Sequence, residues 1–246
     1  MRPLNTIELL DIWQAGSRQP LIEKTLRLIG VSCDNSSIDE MARLSIGERD
    51  LRLLQLREWI FGVRLHNTVH CPRCSELTEW EAKLDDLRLQ PPRPDDGKKT
   101  FIANIDGYEL AYRLPNSEDL YSLLPYGVPV KDPKTLLSRC ILSLHQNQRP
   151  CMPDELPDTV FNSLAQQMEQ EDPQADIRIE VHCPACTHSW EAVFDIITYL
   201  WTEIDGWARR TLEEVYLLAL NFGWSEHAIL TMPPQRRQLY IHLLRS

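Results

Sequence analysis

The chain has 246 residues, 43% of them apolar and 25% charged, with 36 Asp and Glu against 26 Lys and Arg for a formal charge of −10. That is enough apolar material for a sizeable core in one large or two small domains, and it excludes a disordered tail. The acidic balance repels a phosphate backbone wherever no local basic patch overrides it, so generic nucleic-acid binding is disfavoured.

The first sixty residues carry helical periodicity with clear start and stop residues. Asn5 and Glu8 form a capping box for a helix whose face holds Ile7, Leu10 and Trp13 or Gln14, and Gly16 ends it. A second helix is expected from about Pro20 to Gly30, with Leu21, Thr25, Leu28 and Ile29 on one side, and Ser36 to Asp39 start a short third. Ser45 with Glu48 opens another helix running to Gly62, with an apolar stripe of Leu51, Leu54, Trp59 and Ile60.

From Leu65 the pattern turns to short alternating segments on either side of a Cys-x-x-Cys turn. Residues 91–100, rich in proline and charge, are expected to form a loop. Phe101 to Ile105 and Tyr108 to Arg113 flank Asp106-Gly107, a pair that suits a two-residue hairpin turn because both turn positions need positive φ. Pro115 to Glu118 open a helical segment. Proline-rich breaks near Pro125 to Pro133 and Pro150 to Pro157 separate it from helices around Lys134 to Leu144 and Asp158 to Glu171. Ile177, Ile179 and Val181 then alternate as a strand into a second Cys-x-x-Cys turn. After Trp190 a long amphipathic helix follows, with Ile197, Leu200, Trp201, Ile204, Trp207, Ala208, Leu212, Val215 and Ala219 on one side, ending at Gly223. Gly206 inside it either admits a close neighbour or is simply tolerated. A last helix starts at Thr231 to Pro234 and carries Leu239, Tyr240 and Leu243.

The string Val-His-Cys-Pro-x-Cys occurs twice, at Val69 to Cys74 and Val181 to Cys186, each followed by Trp-Glu-Ala. A Cys-x-x-Cys turn presents two sulfurs to one metal, and zinc prefers four thiolates in a closed tetrahedral site, so Cys71, Cys74, Cys183 and Cys186 are the expected ligands of one structural Zn²⁺. The intervening chain does not forbid a shared ion, because loop-closure entropy grows only logarithmically with length. Two separate ions would each need two more ligands, and no second Cys or His pair has suitable spacing. A redox dithiol and a metal-free hairpin with reduced thiols are the alternatives. The redox reading needs its first thiol at a helix N-terminus, whereas each pair here leads into an alternating, Trp-bearing segment. His70, His182 and His188 lie nearby and are read as surface or supporting residues, since four thiolates complete the site.

The remaining Cys33, Cys140 and Cys151 are scattered, which fits reduced thiols packed as small apolar groups. No run of 18 apolar residues and no secretory leader pattern is present, so the expected location is the cytoplasm, with no membrane partner. No catalytic motif stands out: there is no Gly-x-Ser-x-Gly, no phosphate-cradling glycine loop, no His-Glu-x-x-His, and only nine glycines in all. Carboxylate pairs such as Asp85-Asp86, Asp95-Asp96 and Glu213-Glu214 read as solvated faces, and Arg209-Arg210 and Arg236-Arg237 as helix-surface ion pairs. The chain is not expected to be an enzyme or to take a small-molecule substrate.

The fold expected is α+β and mainly helical. A helical segment (1–64), a first knuckle with a β-hairpin (65–114), a second helical segment (115–176) and a second knuckle with C-terminal helices (177–246) would share one compact domain.

Several strings together resemble a known family. Leu4 to Leu10, Leu44 to Asp50 running into Leu56-Arg57-Glu58-Trp59, the two Cys-Pro-x-Cys knuckles and Phe194-Asp195-Ile196 are similar to the T-even-phage-type baseplate hub assembly chaperones. So are Trp201 to Ile204, Trp207-Ala208, Gly223 to Glu226, Ile229-Leu230 and Pro234 to Tyr240. Members occur in contractile phage tails and phage-derived contractile injection systems. The resemblance implies a noncatalytic role in assembling a baseplate hub, with hub, spike or tape-measure proteins as partners, whether or not the protein stays in the finished tail or injection particle. The alternative is a zinc-ribbon adaptor for nucleic acid or a transcription partner, which needs a basic face beside the knuckles. The first knuckle's flanks set Arg64, His66, His70 and Arg73 against Glu76, Glu79, Glu81, Asp85 and Asp86, an acidic balance.

Overall fold

In the computed structural model, residues 1–33, 36–89, 100–123 and 133–245 are described. The fold is α+β and mainly helical, as expected. The chain divides into two compact units, one of residues 1–38 with 196–246 and one of residues 39–195.

The first unit is helical. It holds α1 (Thr6–Ala15), α2 (Leu21–Ser32), α8 (Ile196–Phe222), α9 (Glu226–Leu230) and α10 (Pro234–Arg245). Asn5 caps α1 as its sequence requires: its side chain accepts from Glu8 N–H while Glu8 accepts from Asn5 N–H, each at 2.9 Å. The buried residues of α1 are Leu9, Leu10 and Ile12, with Ile7 and Trp13 half-buried, so the face is rotated from the stripe expected. The rotation is explained by Trp13, whose indole N–H reaches Asp205 of α8 at 3.1 Å and so stays at the rim. Likewise Trp201 donates to Thr25 of α2 at 2.7 Å. Leu10, Ala208, Val215, Leu218, Ile229, Leu230 and Ile241 form one hydrophobic cluster of this unit. Leu212, expected on the buried side of α8, is 40% exposed, and Thr211 and Leu218 are buried instead. Gly206 meets only the mobile end of Arg210, which supports tolerance and not close packing.

Among its described residues the second unit contains α3 (Ile38–Ala42, shared with the boundary), α4 (Ile46–Phe61), α5 (Ser117–Leu123), α6 (Pro133–Cys140), α7 (Asp158–Glu171) and eight strands. Strands β1 (Arg64–His70) and β2 (Leu77–Lys83) form one antiparallel hairpin, and β7 (Arg178–His182) and β8 (Ser189–Val193) another. Between them in sequence, β3 (Phe101–Ile105), β4 (Tyr108–Tyr112), β5 (Ile141–Gln146) and β6 (Arg149–Pro150) form an antiparallel sheet in that order. The Asp106-Gly107 turn has φ of 48° and 81°, the two positive values a tight hairpin demands. One face of this sheet packs on α7 through Ala103, Ile105, Leu110, Tyr112, Leu144, Val160, Phe161, Leu164 and Met168.

Two sequence expectations fail here for physical reasons. The helix expected over Lys134 to Leu144 ends at Cys140, and Ile141 onward is a strand because it pairs with β4, bringing Leu144 opposite Leu110 in the core. In α4, Trp59 is 39% exposed and Ile60 half-buried, whereas Arg49, Leu53, Leu56 and Arg57 are 4% exposed or less. The inner face therefore includes two arginines that lie outside the expected apolar stripe. Arg49 pairs with Asp50 at 2.8 Å and reaches Ser117 at 3.2 Å, and Arg57 donates to Gly62 O at 2.6 Å. Burial raises the Asp50 carboxyl to about 6 although Arg49 opposes it. The expected loop over 91–100, apart from Thr100, and the break near Pro125 fall largely outside the described residues.

The N-terminus of α4 shows one further dependence. Gly47 N–H donates to a carboxylate oxygen of Asp172 at 3.0 Å, so a residue distant in sequence caps the helix beside Ser45. A Cβ at Gly47 would lie 2.0 Å from Asp172 Oδ1, which leaves glycine as the residue that fits.

Candidate metal centre

The two knuckle hairpins close in the same way. Cys71 N–H donates to Glu76 O at 2.9 Å and Ser75 N–H to Cys71 O at 2.8 Å. In the second copy Cys183 N–H donates to His188 O at 2.9 Å and Thr187 N–H to Cys183 O at 3.0 Å. To make this turn, the residue after the second cysteine takes positive φ, 61° at Ser75 and 56° at Thr187. Neither is glycine, so sequence reading had no reason to single them out, and for β-branched Thr187 the conformation is costly.

The turns bring all four expected ligands together. The sulfurs of Cys71, Cys74, Cys183 and Cys186 lie within 4.8 Å of one another, and Cys71–Cys186 and Cys74–Cys183 are each 3.6 Å apart. A tetrahedron with bonds of about 2.3 Å has edges of about 3.8 Å, so the cage is close to the size a zinc ion requires. Both first cysteines are buried, at 1% and 0% exposure, while Cys74 is exposed and Cys186 half-buried.

The electrostatics favour a shared negative charge. Burial pushes the Cys183 thiol up, but hydrogen bonds from the backbone of Cys186 and Ala185 and from the thiols of Cys74 and Cys186 bring it down to about 6. At Cys74 the backbone of Glu76 lowers the value, and the surrounding thiols raise it to about 12. One proton leaves easily and the next is held, as expected when like charges crowd one small site. A divalent cation would replace those protons, and backbone N–H groups aimed at sulfur are what a thiolate cage needs. The residues present therefore fit a tetrahedral thiolate metal.

The nearby histidines stand outside the cage. His70 Nδ1 donates to Ser75 O at 3.1 Å, and His182 Nδ1 lies 2.9 Å from Ser189 Oγ, so both brace the turns. His188 stacks on Trp190, ring centroids 5.8 Å apart and planes within 10°. Trp80 instead meets Phe194 edge to face at 5.8 Å, linking the first hairpin to the end of the second.

The three other cysteines behave as packing residues or partly buried groups. Cys140 is fully buried in the sheet core, Cys151 packs against that core, and Cys33 is half-buried. Burial and the neighbouring Asp119 push the Cys140 thiol up to about 12, which leaves it protonated and unreactive. Of the charged pairs, Arg209 bonds Asp205 one turn away, as a surface ion pair should. Arg237 and Glu214 depart from expectation: Arg237 is 2% exposed and binds Glu214 at 2.9 Å inside the helical unit, so neither belongs to a solvated face.

Comparison with known proteins bears on the whole of this unit. A family model described as T4 bacteriophage base plate protein matches residues 8–199, a span that contains both knuckles. The chain belongs to that family. It is thus a T4-type phage baseplate protein, a structural component whose partners are other baseplate proteins. The C-terminal strings that contributed to the resemblance, from Trp201 on, lie beyond the matched residues. No curated protein and no solved structure matches the chain. Among the described residues no helix is long and apolar enough to cross a membrane.

Proposed function

We propose that the protein is a noncatalytic assembly chaperone or structural part of the baseplate hub of a contractile phage tail or phage-derived contractile injection system. One structural zinc ion on Cys71, Cys74, Cys183 and Cys186 fixes the shape it offers to hub, spike or tape-measure proteins. It acts in the cytoplasm, where such particles are built, and either stays in the particle or leaves it. The observation that carries this reading is that the family-matched segment contains four thiols gathered from two distant turns into one cage.

A cage with four sulfur ligands leaves no open coordination position, so the metal supplies a cross-link and not Lewis-acid chemistry. The chain's own residues do the rest. Turn hydrogen bonds aim the sulfurs, the two buried cysteines exclude water from one side, and the Trp80–Phe194 contact holds the hairpins together. An adaptor role on nucleic acid has less support. His66 lies 3.2 Å from Glu81, and Arg178 bonds Asp176 at 2.8 Å with Glu191 at 3.8 Å, so these basic side chains beside the knuckles face carboxylates.

Metal analysis of protein purified under reducing conditions tests the site: about one zinc per chain is expected, absent from Cys71→Ser. Folded protein with no bound metal would remove zinc from the proposal. For the role, co-expression with the hub, spike and tape-measure proteins of the same particle should yield a stable complex. No association with any of them would overturn it.

A further inference from the structure

We infer that the outer face of α10 is a docking ridge for an acidic amphipathic helix of another baseplate protein. This deepens the proposed function by naming the chemistry of a partner, and it rests on that reading.

The inference starts from a helix that carries apolar side chains on both its inner and its outer face. Inward, Ile241 is 5% exposed and Arg237 is 2% exposed. Outward, Leu239 and Leu243 are 65% and 67% exposed, one helical turn apart. Arg236 is exposed and precedes them by three and seven residues, which places it on the same stripe. Single exposed leucines are ordinary, but a leucine pair at i and i+4 is the ridge that a second helix receives into its groove.

Beside the ridge stands an aromatic cluster. Phe222 and Trp224 stack at 4.7 Å, and Tyr240 meets their edges at 5.8 and 4.8 Å. Phe222 remains 39% exposed. Trp224 and Tyr240 are half-buried against the unit's own core, so the open side of Phe222 and Arg236 are what this region adds to the leucine anchors. None of these residues lies within the family-matched segment 8–199.

Charge selects the occupant. Residues 227–246 contain three Arg, two His and no Asp or Glu. With a formal charge of −10 overall and +3 here, the remainder of the chain carries −13. Arg237 is taken up by Glu214, but Arg236 stays on the outer stripe. A two-fold contact with a second copy through this face would bring the Arg236 side chains of both copies into one interface with no carboxylate of residues 227–246 to meet them. An acidic helix with apolar residues three and four apart matches both the leucine ridge and the arginine, and the family supplies protein partners.

The test uses the full chain and 20-residue peptides tiling the baseplate proteins encoded with it. Peptides that bind should be acidic with leucine-like residues at i and i+4. Their affinity should fall at least tenfold on L239A/L243A, and Arg236→Glu should weaken it and flatten its salt dependence. Both leucines are largely exposed, so the thermal midpoint of the double variant should stay near wild type. The inference is overturned if no acidic peptide binds, or if binding is indifferent to L239A/L243A. Loss through the same variant of self-association, or of binding to phosphatidylglycerol vesicles, in place of peptide binding would assign the ridge to a second copy or to a membrane and overturn it as well. Capture of a baseplate protein by both wild type and L239A/L243A would leave the proposed function standing and sink this inference alone. Capture by neither would sink the function.

Discussion

The two knuckle hairpins contain the same cysteine turn but differ in length, seven residues per strand in the first and five in the second. Both strands of the first are longer by two, so the closing register is unchanged: His70 faces Leu77, and His182 faces Ser189. An even step keeps every inward residue inward, because side chains alternate along a strand. The difference teaches that the four-cysteine cage goes with a fixed turn and strand parity and leaves strand length free. It also shows that the repeated Trp-Glu-Ala string is not one structural position. Trp190 pairs with Val181, on the inward rung nearest its cysteines, whereas Trp80 pairs with Asn67, one inward rung further away.

The largest effect is expected at the sulfurs themselves. Cys183→Ser and Cys71→Ser remove buried ligands and should abolish metal binding, at a cost on the order of 4 kcal/mol, the class of losses that follows removal of a metal site. Cys74→Ser, at the exposed corner, should also lose the metal but destabilise less. Chelator should bring wild type down to about the level of Cys74→Ser and leave the three metal-free variants unchanged, and calorimetry with and without chelator measures it. A variant whose midpoint also falls in chelator would still hold metal, and the remaining gap between Cys74→Ser and the two buried-site variants reports packing and not coordination.

Next comes parity. One residue inserted between Glu180 and Val181 should break the second hairpin's register and release the metal, at the cost of turning half-buried Ile179 outward, about 1–2 kcal/mol. Two residues inserted there and two more between Trp190 and Glu191 should reproduce the length of the first hairpin and keep about one metal per chain. Equal metal content in both insertion variants would mean that register does not govern the cage.

The same comparison shows what the sequence revealed and what it did not. The cage was legible because its four ligands come as two short strings, and spacing alone determines what a Cys-x-x-Cys turn can present. Helix starts at Asn5 and Ser45, the span of α7 and the Asp106-Gly107 turn were legible because each rests on residues close in sequence. The strand at Ile141, the buried faces of Arg49 and Arg57, and the cap that Asp172 places on Gly47 were not, since each depends on a partner far along the chain. Leu212, Leu239 and Leu243 look like core residues to any periodicity argument, and only packing shows that they face out.

The tryptophans should separate by readout. Trp190→Ala removes a ring stacked on His188 beside the sulfurs, so it should lower metal affinity several-fold in competition with a chromophoric chelator. Trp80→Ala removes the edge-to-face contact with Phe194, and it should cost about 1–2 kcal/mol of stability with metal affinity nearly unchanged. An equal loss of affinity from both would place the two rings in the same role after all.

The smallest effect concerns the positive-φ residues that end each knuckle. Thr187 is β-branched and Ser75 is not, so strain at the second turn exceeds that at the first. Glycine relieves it but adds freedom to the unfolded chain, and Thr187→Gly also gives up the hydroxyl bond to Cys186 O at 2.8 Å. The balance should leave Thr187→Gly stabilising by about 0.5–1 kcal/mol and Ser75→Gly by about half of that, read as midpoint shifts in denaturant with metal bound. Because both residues sit directly after a ligand, the order of the two gains reports strain in the turn and not metal chemistry. A reversed order would show that the hydroxyl bond of Thr187, and not its backbone, sets the shape of the second knuckle.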